Sequence, residues 1–93
     1  MNEKYFNAVR PVLGKAYELV SFIALANCKH VNVDLGVSGV TITAYPYEAE
    51  IKEKVMGLMR MYAEKDSELK EEYHTGEYHS WWTCDLHFNI KND

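Results

Sequence analysis

Apolar residues recur along the first quarter of the chain at steps of three and four: Phe6, Val9, Leu13, Ala16, Val20, Ile23 and Ala24. That spacing is the stripe of an amphipathic helix and predicts one over about residues 3–27. Asn2 is its candidate N-cap, and Glu3 lies in the first turn, where a carboxylate suits the helix dipole. Pro11 removes a backbone donor, so a kink or a true start is expected near Arg10–Pro11, with 12–26 as the firm part. Asn27 offers a natural stop.

Between residues 30 and 45 the period changes to two. His30, Asn32 and Asp34 alternate with Val31, Val33 and Leu35, and Thr41, Thr43 and Tyr45 alternate with Val40, Ile42 and Ala44. Two half-buried strands joined through Val37-Ser38-Gly39 read as a hairpin. From Tyr47 the helical stripe returns at Ile51, Val55, Leu58 and Tyr62, and it can be carried on through residues 65–66 to Leu69 and Tyr73. The first reading is one helix over 47–73. A break at Asp66–Ser67 with a second short helix is one alternative, and a hairpin pairing 69–74 with 77–82 is another. Residues 78–90 alternate again, with Tyr78, Ser80, Trp82, Cys84, Leu86, Phe88 and Ile90 in one phase.

The order is therefore α-β-β-α-β, an α+β fold with two helices packed on one face of a small antiparallel sheet. A fourth short strand near 69–74 belongs to the hairpin alternative. Val31, Val33, Val40, Ile42, Cys84, Leu86 and Phe88 are the predicted buried face, with Trp81 and His87 on the opposite one.

The 93 residues, 47% of them apolar, suit one domain spanning 1–93 and argue against disorder. Two cysteines make no disulfide scaffold, and a net charge of −4 argues against direct nucleic-acid binding. The apolar run Leu19–Cys28 is too short to span a bilayer and reads as core helix, not as a secretion signal. A cytoplasmic protein is expected.

Chemistry-bearing residues are sparse. His30, His74, His79 and His87 follow no zinc spacing, and Cys84 falls in phase with the core. Asp85 and His87 share a strand face, which His30 and Asp34 can join. This face is either a small-ligand or metal site or simply the solvated side of the sheet. Cys28 stands at a helix C-terminus, which disfavours a thiolate, and Ser38 and Ser80 lack a nucleophile-elbow context. No enzyme, cofactor or bound metal is expected.

Charge is the more informative signal. Residues 64–77 hold Glu64, Asp66, Glu68, Glu71, Glu72 and Glu77 against Lys65 and Lys70, a net −4 that equals the charge of the whole chain. Beside them stand Tyr73, Tyr78, Trp81, Trp82 and Phe88. Neighbouring tryptophans on a strand point to opposite faces. Trp81 is then either an anchor for a partner or a residue lying under the 74–79 loop. Acidic charge steers a basic partner and aromatics anchor it. Glu68, Glu71, Glu72, Tyr73, Glu77, Tyr78 and Trp81 are accordingly the candidate partner-binding residues. Val55, Met56, Leu58, Met59, Met61 and Tyr62 cover more of the second helix than one sheet face requires, which admits a homodimer through this Met-rich helix.

In general character, though through no specific motif, a small acidic domain of this kind resembles the inhibitors that phages direct against host defence, such as anti-CRISPR and anti-restriction proteins. The resemblance implies a non-enzymatic protein-binding module. A ligand-binding domain on the open sheet face and a structural homodimer are the alternatives.

Overall fold

The computed structural model describes residues 3–91, and the candidate cap Asn2 lies outside them. The described chain runs α1 (Glu3–Leu25), β1 (Val31–Leu35), β2 (Gly39–Ala44), α2 (Ala49–Tyr62), β3 (Glu68–Thr75) and β4 (Ser80–Asn89). All neighbouring strands are antiparallel, in the order β1-β2-β4-β3. Swapping β1 with β3 and β2 with β4 leaves that order unchanged. The chain is thus two successive αββ units joined through β2 and β4. Each hairpin closes in the same way. Gly36 donates its N–H to Gly39 O at 2.8 Å, and Gly76 donates to His79 O at 2.8 Å, each across a two-residue tip. No repeat is visible in the sequence because the two units share topology and not residues.

Helix α1 runs through Pro11 without starting there. It ends as Asn27 predicts. Asn27 adopts φ 73°, its N–H bonds Ala24 O at 2.9 Å, and the Cys28 N–H bonds Ile23 O at 3.2 Å. This pair of bonds is a Schellman motif with asparagine at the left-handed position. Cys28 and Ile23 are both buried beneath it.

The helix over 47–73 is corrected. α2 stops at Tyr62, Ala63 turns extended (φ −63°, ψ 136°), and residues 68–75 form the fourth strand. Ser67 fixes the crossing, since its Oγ accepts the Glu64 N–H at 2.9 Å and its own N–H reaches Glu64 O at 3.0 Å. Leu69 and Tyr73 are four residues apart, which places them on one face of a helix and equally on one face of a strand. The ten-residue β4 would otherwise present an unpaired edge, and pairing with β3 along residues 80–87 removes it.

Both helices lie on the sheet face carrying Val40, Ile42, Ala44, Cys84, Leu86 and Phe88, all buried. Val31, Val33 and Trp82 are half-buried on the same side. From α1 come Val9, Ala16, Leu19 and Ile23, and from α2 Val55, Met56 and Met59. Full burial of a Leu, Ile or Phe side chain stabilises by about 1.5–3 kcal/mol, so this interdigitation sets the register. Gly39 permits a close approach of β2 to β4. A Cβ there would lie 2.0 Å from Phe88 O and 2.7 Å from the His87 ring. No described helix is long and apolar enough to cross a membrane.

Candidate functional site

Strand β2 pairs with β4 only from Cys84 to Asn89, whereas β3 follows β4 from Ser80 to His87. The β3–β4 hairpin therefore extends past β2, and its distal half carries an aromatic pair on each face. The Trp82 N–H is taken up there by Pro46 O at 2.9 Å.

On the helix face Tyr73 packs against Trp82, ring centroids 4.8 Å apart. Lys52 reaches over from α2. Its Nζ lies 5.7 Å from the Trp82 ring centre and 3.1 Å from Glu71, and it also contacts Glu53. Lys52 is the one buried charged residue among those described, at 9% exposure. The Glu53 hydrogen bond, followed by that to Glu71, raises its pKa above the ordinary lysine value. Glu53 is held below the usual carboxylate value by the same bond. This arrangement ties α2 to the edge strand.

On the open face Trp81 is half-buried between two imidazoles. His74 stacks on it at 5.3 Å with rings 23° apart, and His79 packs at 5.4 Å and 41°. Tyr47, from the turn before α2, extends the cluster to His79 at 5.7 Å. Gly76 makes room, because a Cβ there would lie 3.3 Å from the indole. Glu72 stands beside the stack, 3.9 Å from His74. The tip residue Tyr78 is 89% exposed, and its neighbour Glu77 is exposed too.

The seven candidate residues thus divide into three groups. Glu68, Glu72 and Trp81 share the open face, Glu77 and Tyr78 form the hairpin tip, and Glu71 and Tyr73 lie on the helix face. Glu71 is engaged by Lys52. Trp81 does pack against the 74–79 segment, yet its ring stays half-exposed. Sequence reading missed Lys52, although it lies in step with the inward residues Val55, Met56 and Met59. It also weighs His74 and His79 only against zinc spacing, which they do not follow, and not as neighbours of one indole.

The remainder of the open face is a shallow concavity of about 410 Å³ lined by Ser38, Thr41, Thr43, Glu68, Lys70, Asp85 and His87. Thr41 Oγ1 and His87 Nδ1 are 2.8 Å apart. His30 packs against Tyr45 at 4.6 Å with the rings tilted by 36°, and Asp34 lies on the open face, paired with Thr41. Among the described residues, no group of three or more His, Cys, Asp or Glu side chains is placed to hold a metal ion. Burial pushes the Cys84 thiol up to about 12, so it holds no thiolate at neutral pH. Compared with protein-family models, curated proteins and solved structures, the chain matches none.

Proposed function

We propose that the chain is a non-enzymatic protein-binding module whose docking strip is the open face and tip of the β3–β4 hairpin. The observation that carries this reading is the half-exposed Trp81 stack at the end of a hairpin whose edge strand displays Glu68 and Glu72. Rings held by neighbours lose little freedom when a partner covers them, so they are economical anchors. Acidic side chains along the edge attract a basic surface. Occluding the basic surface of a nucleic-acid-processing or host-defence complex is the narrower form of the proposal, with action in the cytoplasm.

Comparative capture tests it. Wild-type protein, Trp81→Ala and Glu72→Lys serve as baits in the same extract, with Lys54→Glu on the far side as control. The expected result is a basic partner retained by wild type and Lys54→Glu and lost by the other two. A partner retained equally by all four baits would move the interface away from this hairpin.

A second reading is favoured by the polar concavity around Asp85 and His87, which would take a small polar ligand. Substitution of His87 would abolish that binding while leaving capture through Trp81 intact.

A further inference from the structure

The two edges of the sheet are built differently. β3 carries Glu68, Lys70, Glu71 and Glu72, charges of the kind that keep edge strands from pairing. β1 reads Val-Asn-Val-Asp-Leu, with one charge, and among the described strands only β2 lies beside it. The hairpin bonds Gly36 N–H to Gly39 O and Tyr45 N–H to His30 O fix the alternation. The even-numbered residues of β1 bond to β2, so the backbone groups of Val31, Val33 and Leu35 point outward.

The flank above this edge is largely apolar, with Arg10 lying over the Phe6 ring at 5.7 Å. Contacts of Lys15 with Glu64, of Glu18 with Tyr62 and of Phe22 with Tyr62 mark the side of α1 that faces α2. Helical geometry then turns Phe6, Leu13, Tyr17 and Val20 to the other side, over β1. Phe6 is 49% exposed, Tyr17 60% and Leu35 46%.

We infer that β1 pairs with β1 of a second copy, antiparallel about Val33, to form a two-fold dimer with one continuous sheet of eight strands. The sequence of the strand is self-complementary in that register. Val33 meets Val33 of the partner subunit, and Val31 meets Leu35 of the partner subunit, so apolar residues continue on the helix face. On the open face Asn32 meets Asp34 of the partner subunit, an amide donor against a carboxylate. A register centred on Asp34 would oppose two like charges, and one centred on Asn32 would leave Leu35 unpaired. Centring on Val33 pairs all five residues and uses the outward backbone groups. The α1 flanks of the two copies then approach across the same axis, covering Phe6 and Tyr17. The docking strips stay free at the two outer ends, so this inference does not depend on them.

Sedimentation equilibrium of the full chain over a wide dilution series tests the dimer, and charge exchange tests its register. Asn32 and Asp34 are both exposed, so substitutions there spare the core. Asn32→Asp sets like charges opposite each other twice per dimer and is expected to raise the dimer Kd several-fold, up to roughly tenfold. The double variant Asn32→Asp with Asp34→Asn restores the complementary pairs and with them the wild-type Kd. Glu72→Lys, at the opposite edge, leaves it unchanged. A monomer throughout the series overturns the inference. So does a dimer indifferent to Asn32→Asp but lost in Leu25→Ser with Met61→Ser, which would place the interface on the apolar groove between the two helices.

Discussion

Lys52 on α2 and Glu71 on β3 meet at 3.1 Å across the seam between the second helix and the edge strand. The lysine is buried up to its charged end and lies over Trp82, so one residue joins helix, edge strand and central strand. Glu71 stands in the most acidic stretch of the chain, yet its carboxylate is committed to the fold.

Removing this lysine leaves Glu71 and Glu53 without their shared counter-charge and strips its alkyl stem from Trp82. Lys52→Ala is expected to lower the urea midpoint well below that of Lys54→Ala, whose partner Glu50 forms an ordinary exposed i,i+4 pair. Equal midpoints for the two variants would show that Lys52 contributes no more than a surface charge.

The same pairing sets a pH dependence. Glu53 is held below its ordinary value of 4.5, so its contribution is present above that value and is lost as pH falls through the lower folded value. Lys52 is held above 10.5, so its contribution persists below 10.5 and disappears as pH rises through the folded value. Urea midpoints should fall more steeply on acidification below pH 4.5 in wild type than in Glu53→Gln, and added salt should shrink the difference. Parallel acid limbs would remove Glu53 from the account.

Three glycines give a graded test of the packing. A Cβ at Gly36 would have Gly39 O as its nearest neighbour, at an ordinary contact distance of 3.8 Å, and Gly36→Ala should be close to neutral. At Gly76 it would press on His79 O at 3.0 Å and on Trp81, a modest loss. At Gly39 it would run into Phe88 O at 2.0 Å, backbone that cannot move without breaking the β2–β4 ladder. Gly39→Ala should cost at least about 3 kcal/mol or prevent folding. Thermal denaturation of the three variants gives the order directly.

The order of those glycines touches on what the sequence makes legible. Period-two runs over 30–35, 40–45 and 78–90 predict the strands and the inward phase of Cys84, Leu86 and Phe88, because every second side chain of a sheet covered on one side must be apolar. The fourth strand was legible only as an alternative. Glu, Lys and Leu favour helices, and Leu69 and Tyr73 fit either period, so the choice rests on the need of β4 for a second neighbour. That need is tertiary and leaves no local mark. The same holds for the candidate site. The acidic and aromatic composition of the hairpin is readable residue by residue, but the assignment of Glu71 to the helix face and of Glu72 to the open face depends on register.

Cys84 provides a probe of the core. Burial first, with the Glu71 carboxylate second, raises its thiol to about 12, and it is fully enclosed between the sheet and the helices. Thiolate is the reactive form, so labelling at neutral pH should require opening of the structure. In Cys28→Ala protein, the labelling rate should rise with urea in proportion to the unfolded fraction. Rapid labelling without denaturant would show that the core near Ala44 and Cys84 opens locally.

The docking strip predicts a division of kinetic effects once a partner is in hand. Glu68 and Glu72 are exposed along the open edge, where charge acts over the Debye length of about 8 Å at physiological salt. Reversing both to Lys should slow association and flatten its salt dependence, with little change in dissociation. Trp81→Ala should leave association nearly unaltered and speed dissociation, at a cost of about 2 kcal/mol or more for an anchoring aromatic. Glu71→Lys separates docking from folding, because this carboxylate holds Lys52 and faces the helices. It should lower the urea midpoint and slow association of the folded fraction less than the Glu68 and Glu72 reversals do. Surface binding kinetics with a denaturation curve for each variant provide all three readouts. If Glu71→Lys slowed association as much as the Glu68 and Glu72 reversals, steering would follow total charge and not the open face. If Trp81→Ala left the lifetime of the complex untouched, the anchor would lie elsewhere, with the exposed tip residue Tyr78 next to be truncated.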